Sequence, residues 1–207
     1  MKKILLVLLT LMPLLATAQD NTWERIEVEE EEPTKENPDA KYLVPNAVPE
    51  VDGKVVFQTT LTAEGKTADE IYDILLKQLT KMTTEPNQIA GSAVVQNERE
   101  KHEMGAIFHE WLVFKDAAFS LDRTQMNFQL HVTTAEGKAE VSIDHITYDY
   151  DLDRKPQHYT AEEWITDKNA VNKKHTKLYP ISAKFRRKTI DRKDFIFNKF
   201  DSLINAK

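Results

Sequence analysis

Two His-Glu pairs, His102-Glu103 and His109-Glu110, are the parts of this chain that most resemble a metal site. A zinc peptidase helix places a second His four residues after the first, so that both imidazoles reach one ion from one face. Those positions are Ala106 and Val113 here. Neither pair therefore predicts a zinc site, and we expect no metal and no other cofactor.

Three alternating carboxylates, Asp149, Asp151 and Asp153, follow the spacing of the first ligands of a calcium loop. Such a loop needs Gly at its sharp turn and a bidentate Glu at its end. This chain has Arg154 and Thr160 at those positions. We therefore interpret the three side chains as solvated carboxylates at the end of a strand.

The sequence also lacks the motifs that usually surround a catalytic nucleophile. The chain has no Cys, and none of its 5 glycines belongs to a G-x-S-x-G turn that would expose a serine. A carboxylate pair for glycoside hydrolysis remains open, because its members lie far apart in sequence. The 34 acids offer no way to choose such a pair. The sequence therefore favours a protein that is not an enzyme, with a hydrolase as the alternative.

The charge of the chain bears on its partners. Its 207 residues contain 28 Lys and Arg against 34 Asp and Glu, a net charge of −6. Nucleic-acid binding needs surplus basic residues to neutralise phosphates, so we expect no nucleic-acid partner. The basic residues are concentrated between Lys173 and Lys193. We expect this basic stretch to offset acids of its own domain, with binding of an anionic polymer as the alternative.

The first eighteen residues have the three parts of a secretory signal peptide. Lys2 and Lys3 precede an apolar run that ends at Leu15, and small residues follow up to a predicted cut after Ala18. A spanning helix needs roughly 20 apolar residues, so we expect a mature protein that does not span the membrane. Gln19 follows the cut, so the protein is not predicted to be a lipoprotein. The predicted location is the periplasm or the outside of the cell.

Residues 19–49 are predicted to form an acidic, Pro-containing, flexible leader. Between positions 24 and 39, eight acids stand against two basic residues, and like charges at that density repel one another. Four prolines deny the segment regular hydrogen bonds. A spacer is the favoured interpretation over a cation- or partner-binding arm. Residues 50–207 then form a single α+β domain.

The periodicity of this domain changes along the chain. Alternating apolar and polar residues predict strands at 53–62, 92–98, 104–114, 125–133 and 139–150, the last two joined as a hairpin. A change of phase in the last strand predicts a β-bulge near Asp144-His145. Capping boxes at Thr67 and Thr160 predict helices, and a final helix is predicted from Asp191. The order is therefore strand, helix, strands, helices.

One face of the predicted sheet is a candidate binding surface. If helices cover the side that bears Phe57, Phe128 and Ile143, the alternate side chains lie on the other side. These candidate binding residues are Gln58, Thr60, Asn127, Gln129 and His131, with Trp111 or His109 beside them. Their amides, hydroxyls and ring could grip a glycan, a peptide or a second copy of the domain. An ordinary solvated sheet face is the alternative.

Five segments together resemble a family of secreted bacterial domains from Gram-negative anaerobes, the domain of unknown function 4468. They are residues 55–62, residues 66–79 (KTADEIYDILLKQL), residues 92–98 (SAVVQNE), the hairpin 126–149 with Glu136-Gly137-Lys138 at its tip, and the closing helix. The resemblance implies a TATA-binding-protein-like (TBP-like) fold. In that fold a curved antiparallel sheet of about five strands carries helices on one face. The family has no assigned activity, so the resemblance implies no site residues.

These observations predict an exported, non-catalytic binding or structural module of the cell envelope. Its partner would be an envelope protein or polymer, or a second copy bound through the sheet face. A periplasmic hydrolase that acts on glycan or peptide is the alternative. Nucleic-acid binding is the weakest hypothesis, because only the name of the fold suggests it.

Overall fold

The structure, a computed structural model, describes residues 37–117 and 120–206. The predicted signal peptide, residues 1–18, and residues 19–36 of the predicted leader lie outside this part of the chain. The described residues form a large antiparallel sheet with helices packed against one face. The predicted α+β class is confirmed.

The elements keep the predicted order, with short additions. They are α1 (Ala40–Leu43), β1 (Glu50–Val51), β2 (Lys54–Val55), β3 (Phe57–Thr62), α2 (Ala68–Met82), β4 (Ala93–Glu98), β5 (Glu103–Ala117), β6 (Ser120–Ala135), β7 (Lys138–Tyr150), β8 (Gln157–Thr160), α3 (Ala161–Trp164), α4 (Asp167–Ala170) and α5 (Pro180–Ile204). The large sheet runs β3-β7-β6-β5-β4, and β8 pairs with β7 beyond the end of β3. It has six strands rather than about five, because the four-residue β8 has no recognisable alternation.

The predicted β-bulge is confirmed in β7. Asn127 of β6 pairs with Thr147, but Gln129 pairs with Asp144, so two residues of β7 oppose Phe128. His145 takes the strained position, with φ of 52°. The extra residue brings both Ile143 and Ile146 to the core side, where each is at most 2% exposed.

The helix α2 covers the apolar side of the sheet and begins at the predicted capping box. Thr67 Oγ1 accepts from the backbone N–H of Glu70, and the Glu70 carboxylate accepts from the N–H of Thr67. Behind this cap, Ile71, Leu75 and Leu79 are fully buried along one stripe. At Thr160 the box is half formed, because the carboxylate of Glu163 bonds the hydroxyl and not the backbone. Only the four-residue α3 follows it.

The last helix begins earlier than predicted. α5 spans Pro180–Ile204, so the predicted start at Asp191 is wrong. Pro180 suits the first turn, where a helix has no use for its missing N–H. The sequence of this helix shows no continuous apolar stripe, because Arg186 and Arg192 occupy core positions, where both are fully buried. None of the helices in the described part of the chain is both long and apolar enough to cross a membrane.

The predicted leader, residues 19–49, extends too far. Tyr42, Leu43 and Val48 are each at most 5% exposed and belong to the core. The Tyr42 hydroxyl donates to Asp191 of α5 at 2.9 Å. Prolines did not prevent this packing, because an irregular segment can bury side chains without regular backbone hydrogen bonds. The folded part therefore begins before residue 50, close to Asp39.

A buried ion pair joins α5 to strand β5 of the sheet. Nε and Nη2 of Arg192 donate to Oε1 and Oε2 of Glu110 on β5, at 2.9 and 2.8 Å, and both side chains are fully buried. Gln88 Nε2 donates to the same carboxylate at 2.8 Å. Such bidentate pairing offsets part of the large cost of removing two charges from water.

The second buried arginine, Arg186, joins three segments. Its Nε donates to the carbonyl of Tyr42 at 2.8 Å, and its Nη1 donates to the carbonyl of Ile165 at 2.7 Å. Its Nη2 donates to Asp167 Oδ1 at 2.7 Å. Burial lowers the pKa of Arg186, although Asp167 acts in the opposite direction. For Arg186 and Arg192 the expectation that the basic stretch offsets acids of its own domain is confirmed.

Candidate functional site

The open face of the sheet is the side turned away from α2 and α5. On β6 the core-facing residues Met126, Phe128 and Leu130 are at most 2% exposed, so the residues between them point to the opposite side. All six predicted binding residues lie on this open face: Gln58, Thr60, Trp111, Asn127, Gln129 and His131. The strands bring them into two depressions and a connecting network.

The first depression, which we call the dish, crosses β3, β7 and β6. Its volume is about 560 Å³. Antiparallel pairing sets Gln58 beside Ser142 and Ser142 beside His131, so that one row of polar side chains crosses three strands. The lining side chains on the open face are those of Gln58, Thr60, His131, Thr133, Glu140 and Ser142. Hydroxyls, an amide, an imidazole and a carboxylate therefore meet in one shallow, polar concavity.

A carboxylate between two histidines borders the dish at the β-bulge. Asp144 Oδ1 lies 2.6 Å from Nδ1 of His145 and 3.6 Å from Nε2 of His131. Burial disfavours the ionised form of Asp144, but His131 and His145 outweigh it, and the pKa of the carboxyl is lowered. The Asp144 carboxylate in turn raises the pKa of His131, against the opposing effect of burial. The His131 imidazole at this edge of the dish is therefore protonated or neutral according to pH.

Replacing Asp144 by Asn is expected to lower the pKa of His131 towards its usual range, because the attracting carboxylate is lost. Because the pKa of His131 is raised in the folded state, protonation of its ring stabilises the folded protein. This stabilisation is fully present below the unfolded-state pKa of about 6.5, and it is lost as pH rises through the folded-state pKa. NMR titration of the His131 ring measures the change directly. Asp149→Asn, on the same strand but not in contact with His131, is the control and should leave its titration unchanged.

The middle of the open face is an internal hydrogen-bond network centred on Asn127. Its Oδ1 accepts from Gln125 at 2.8 Å and lies 2.7 Å from His109 Nδ1. Its Nδ2 donates to Thr147 Oγ1 at 3.2 Å and to Asp149 Oδ2 at 2.9 Å. All four hydrogen-bonding positions of the amide are thus used within the protein. Asn127 therefore links neighbouring strands, and its amide has no free position with which to hydrogen-bond a ligand.

The second depression lies at the far end of the face, beside Trp111. The guanidinium of Arg123 lies 3.7 Å from the centre of the Trp111 ring, within the range of a cation–π contact. The depression has a volume of about 340 Å³ and is bordered by residues 121–123 and 149–154. Leu121 and Leu152 on its rim are 54% and 42% exposed. This end is therefore mixed in character, with apolar, aromatic and charged groups together.

The two depressions are too far apart for one small ligand. His131 pairs with Gly105 and Gln125 pairs with Trp111, so six residues of β6 separate them, or about 20 Å at the rise of a strand. The predicted residues therefore form a strip along β6, not a single pocket. Only a polymer, a peptide or a protein surface could contact both ends at once.

The two residues of the pair His109-Glu110 lie on opposite sides of the sheet. His109 is on the open face, whereas Glu110 is on the core side, paired with Arg192. Across residues 37–117 and 120–206, no cluster of three or more His, Asp or Glu side chains is arranged to hold a metal ion. Of the three alternating carboxylates, Asp149 bonds Asn127 and His158, and Asp151 bonds Arg154. These contacts agree with a structural role at a strand end.

Four residues of the face were missed at the level of sequence: Arg123, Glu140, Ser142 and Asp144. For Ser142 and Glu140 a signal existed, because a tight turn at Glu136-Gly137-Lys138 fixes the register that sets them opposite His131 and Thr133. Asp144 could not be placed in the same way, since the β-bulge shifts its pairing. The position of Arg123 on the face depends on the full length of the β5–β6 hairpin, because this hairpin extends beyond the predicted strand ends.

Residues 57–149 match a family described as a domain of unknown function (DUF4468) with a TBP-like fold. A DUF4468 family protein from Bacteroides ovatus, known from its crystal structure, is 40% identical to this chain with a TM-score of 0.76. The alignment covers 83% of this chain and 98% of that protein. The chain belongs to the DUF4468 family. The resemblance carried by α2 and the β6–β7 hairpin is thus confirmed.

The fold of this DUF4468 chain extends to more distant relatives. A TBP-like protein from Parabacteroides distasonis is 20% identical, with a TM-score of 0.62, over 76% of this chain and 97% of that protein. At this identity the similarity concerns the fold alone, and it confirms the predicted TBP-like architecture. No curated protein matches the chain. The DUF4468 description assigns no activity.

Proposed function

We propose that this DUF4468 protein is a non-catalytic binding module that contacts its partner through the open face of its sheet. The observation that carries the proposal is the asymmetry of the sheet. Helices cover one side, where Met126, Phe128 and Leu130 are at most 2% exposed. The opposite side leaves a polar strip uncovered by described residues, about 20 Å long at the rise of a strand. Concave surfaces with convergent polar groups are the usual place for ligands.

Several side chains on this strip retain free hydrogen-bonding groups. In the described part of the chain, the side chains of Gln58, Thr60 and Gln129 make no hydrogen bond to another residue. Asn127 and its neighbours, in contrast, use their groups on each other and keep the strands in place. The arrangement therefore combines a rigid centre with available donors and acceptors at the dish. A ligand rich in hydroxyl or amide groups, such as a glycan or an extended peptide, fits this chemistry.

The carboxylates of the dish favour binding over hydrolysis. A general acid at neutral pH needs a raised pKa. The pKa of Glu140 is lowered instead by its hydrogen bond with Lys138, and that of Asp144 is lowered by its two histidines. Neither group is tuned to protonate a leaving group. A hydrolase that uses one of these two carboxylates as its general acid is therefore the weaker hypothesis.

The proposed location of this module is the cell envelope, after export. The support is the tripartite pattern of residues 1–18, with small residues before a cut after Ala18. Gln19 after the cut agrees with a protein that carries no lipid there. The proposed partner is accordingly an envelope protein or polymer.

Changing Gln58 and Gln129 together to Ala is expected to reduce capture of the envelope partner by about tenfold, because each lost hydrogen bond contributes about 0.5–1.5 kcal/mol. The measurement is the yield of a chemically crosslinked complex from cells that produce the protein. Lys77→Ala with Asn198→Ala, two exposed positions on α2 and α5, is the matched control. Neither pair should shift the melting temperature, and full capture by the Gln58/Gln129 variant would contradict the proposal.

A further inference from the structure

The strand β3 lies at one edge of the large sheet and, among the described strands, pairs with β7 alone. Ala63 continues the register of β3, and its N–H donates to the carbonyl of Gly137 at 2.8 Å. In an antiparallel ladder, residues that bond the neighbouring strand alternate with residues whose backbone groups point away from it. Gln58 and Thr60 are of the second kind, so their N–H and C=O groups point to the outside of the sheet.

The outward backbone groups of Gln58 and Thr60 are not used within the fold. Across residues 37–117 and 120–206, no backbone or side-chain group hydrogen-bonds them from the outer side. Both residues are also exposed. Two N–H donors and two C=O acceptors are therefore presented to solvent at the spacing of a strand.

This stretch is closed at both ends by other parts of the fold. Before it, the N–H of Val56 donates to the carbonyl of Pro49 at 3.1 Å. After it, the carbonyl of Thr62 accepts from Asn205 Nδ2 at 3.0 Å. We call the outer side of residues 57–61, between these two contacts, the β3 edge. Its length is about 17 Å, at roughly 3.4 Å per residue.

The β3 edge lacks the features that usually protect an exposed strand. Edge strands are commonly protected from further pairing by charged residues, by proline or by a β-bulge. The strand at the opposite edge, β4, has a bulge between Val94 and Gln96 and ends in Glu98. In contrast, β3 has the sequence FQTTLT, with no charge and no proline, and its register with β7 is unbroken. It can therefore accept another strand.

The β3 edge borders the dish. The side chains of Gln58 and Thr60 line that depression, while their backbone groups form the edge beside it. A strand added here would place every second side chain on the open face, next to Gln58 and Thr60. Hydroxyl or amide side chains at those positions suit the polar lining.

We propose that an extended peptide segment of the partner, about three to five residues in contact, adds to the β3 edge as a further strand. The proposal rests on the proposed function and selects a peptide among the ligands that suit the dish. A peptide backbone repeats an N–H and a C=O at strand spacing, and a glycan has no such repeat. A second copy of β3 is disfavoured, because a strand that continues past both ends of the edge would meet Pro49 and Asn205.

The probe for this proposal is a phage-displayed library of random hexapeptides, selected on the protein purified from its host cells. The peptide selected most strongly is then synthesised. It should slow hydrogen exchange of the Gln58 and Thr60 N–H groups, followed by NMR, at least about tenfold, because a hydrogen-bonded amide exchanges only when the bond opens. The N–H groups of Phe57, Thr59 and Leu61 already bond β7 and should change less.

Thr60→Pro should weaken binding of the selected peptide by about tenfold, because the N–H that points to the peptide is removed. The ladder with β7 does not use that N–H, and an edge strand tolerates Pro at such a position, so the melting temperature should change little. Thr60→Val keeps the N–H and is the matched control, with affinity expected within about twofold of wild type. N-methylation of the peptide at each residue in turn repeats the test without a protein variant, and loss should occur at alternate residues.

Equal binding by Thr60→Pro and Thr60→Val, or unchanged exchange at Gln58 and Thr60, would overturn the proposal. Loss of binding in Gln129→Ala, two strands away from β3, would then show that the open face binds without the edge, and the proposed function would survive. A library that yields no binding peptide would also overturn the proposal. So would a wild-type dimer in sedimentation that Thr60→Pro dissociates, because a second copy would then occupy the β3 edge.

Discussion

Glu110→Ala is expected to lower the free energy of unfolding by about 3–5 kcal/mol, the range for breaking a buried ion pair by removing one partner. The loss is large because Arg192 and Glu110 are both fully buried and share two short hydrogen bonds. Ala would leave the Arg192 guanidinium in the core without its bidentate carboxylate. Gln88 Nε2 would also lose its 2.8 Å hydrogen bond and keep the longer one, 3.4 Å, to Asn87 Oδ1. Urea unfolding, followed by circular dichroism, measures the change.

The control for this prediction replaces both charges. Glu110→Leu combined with Arg192→Met removes both fully buried charges, and apolar replacements of such pairs are often neutral or stabilising. Glu85, which lies 3.7 Å from Arg192, also loses a partner, but its side chain is 23% exposed and can be rehydrated. The double variant should therefore be more stable than Glu110→Ala by at least about 2 kcal/mol. If the single and double variants unfold at the same urea concentration, the pair is not the element that holds α5 to β5.

Arg186→Met should cost about 3 kcal/mol of stability and should release the start of the fold. Its guanidinium connects the carbonyls of Tyr42 and Ile165 with the carboxylate of Asp167. Met fills much of the space but cannot donate, so two carbonyls lose their hydrogen bonds. The cost is smaller than for Glu110→Ala, because Asp167 is 24% exposed and can be rehydrated.

Arg187→Met is the matched control for this second prediction. Arg187 is adjacent on the same helix and also pairs with an Asp, but its side chain is 39% exposed. A partly exposed pair contributes about 1 kcal/mol or less. Hydrogen exchange should show faster exchange at residues 40–48 in Arg186→Met than in Arg187→Met. Equal exchange in the two variants would contradict the role given to Arg186.

Sequence patterns located the sheet well and the helical side less well. Strand alternation is a local property, so β6 and β7 could be predicted, and even the bulge at His145 followed from a change of phase. The start of α5 could not, because Arg186 and Arg192 interrupt its apolar stripe. Whether an arginine is solvated or buried depends on a distant acid such as Glu110, 82 residues away in the chain. No local pattern carries that information.

The candidate site shows the same division. The alternation of apolar and polar residues was enough to place the six predicted residues on one face, because this placement depends only on the two-residue period of a strand. Their separation into a dish, a network and the Trp111 depression depends on register and on side-chain hydrogen bonds. Asn127 illustrates the point: by type it is a good ligand-binding residue, yet four internal bonds occupy its amide. Gln58 and Gln129, of similar type, keep their amides free of such bonds within the described residues.

The central claim is that the partner binds the open face and not the helix-covered side. Site-specific photocrosslinking in the producing cells tests it directly, with a photoreactive residue placed in turn at Gln58, Gln129, Lys77 and Asn198. The first two positions lie on the open face and the last two on the outer surfaces of α2 and α5. We expect one shared crosslinked species from Gln58 and Gln129 and none from the helix side. A species that forms from Lys77 or Asn198, and not from the open face, would contradict the claim.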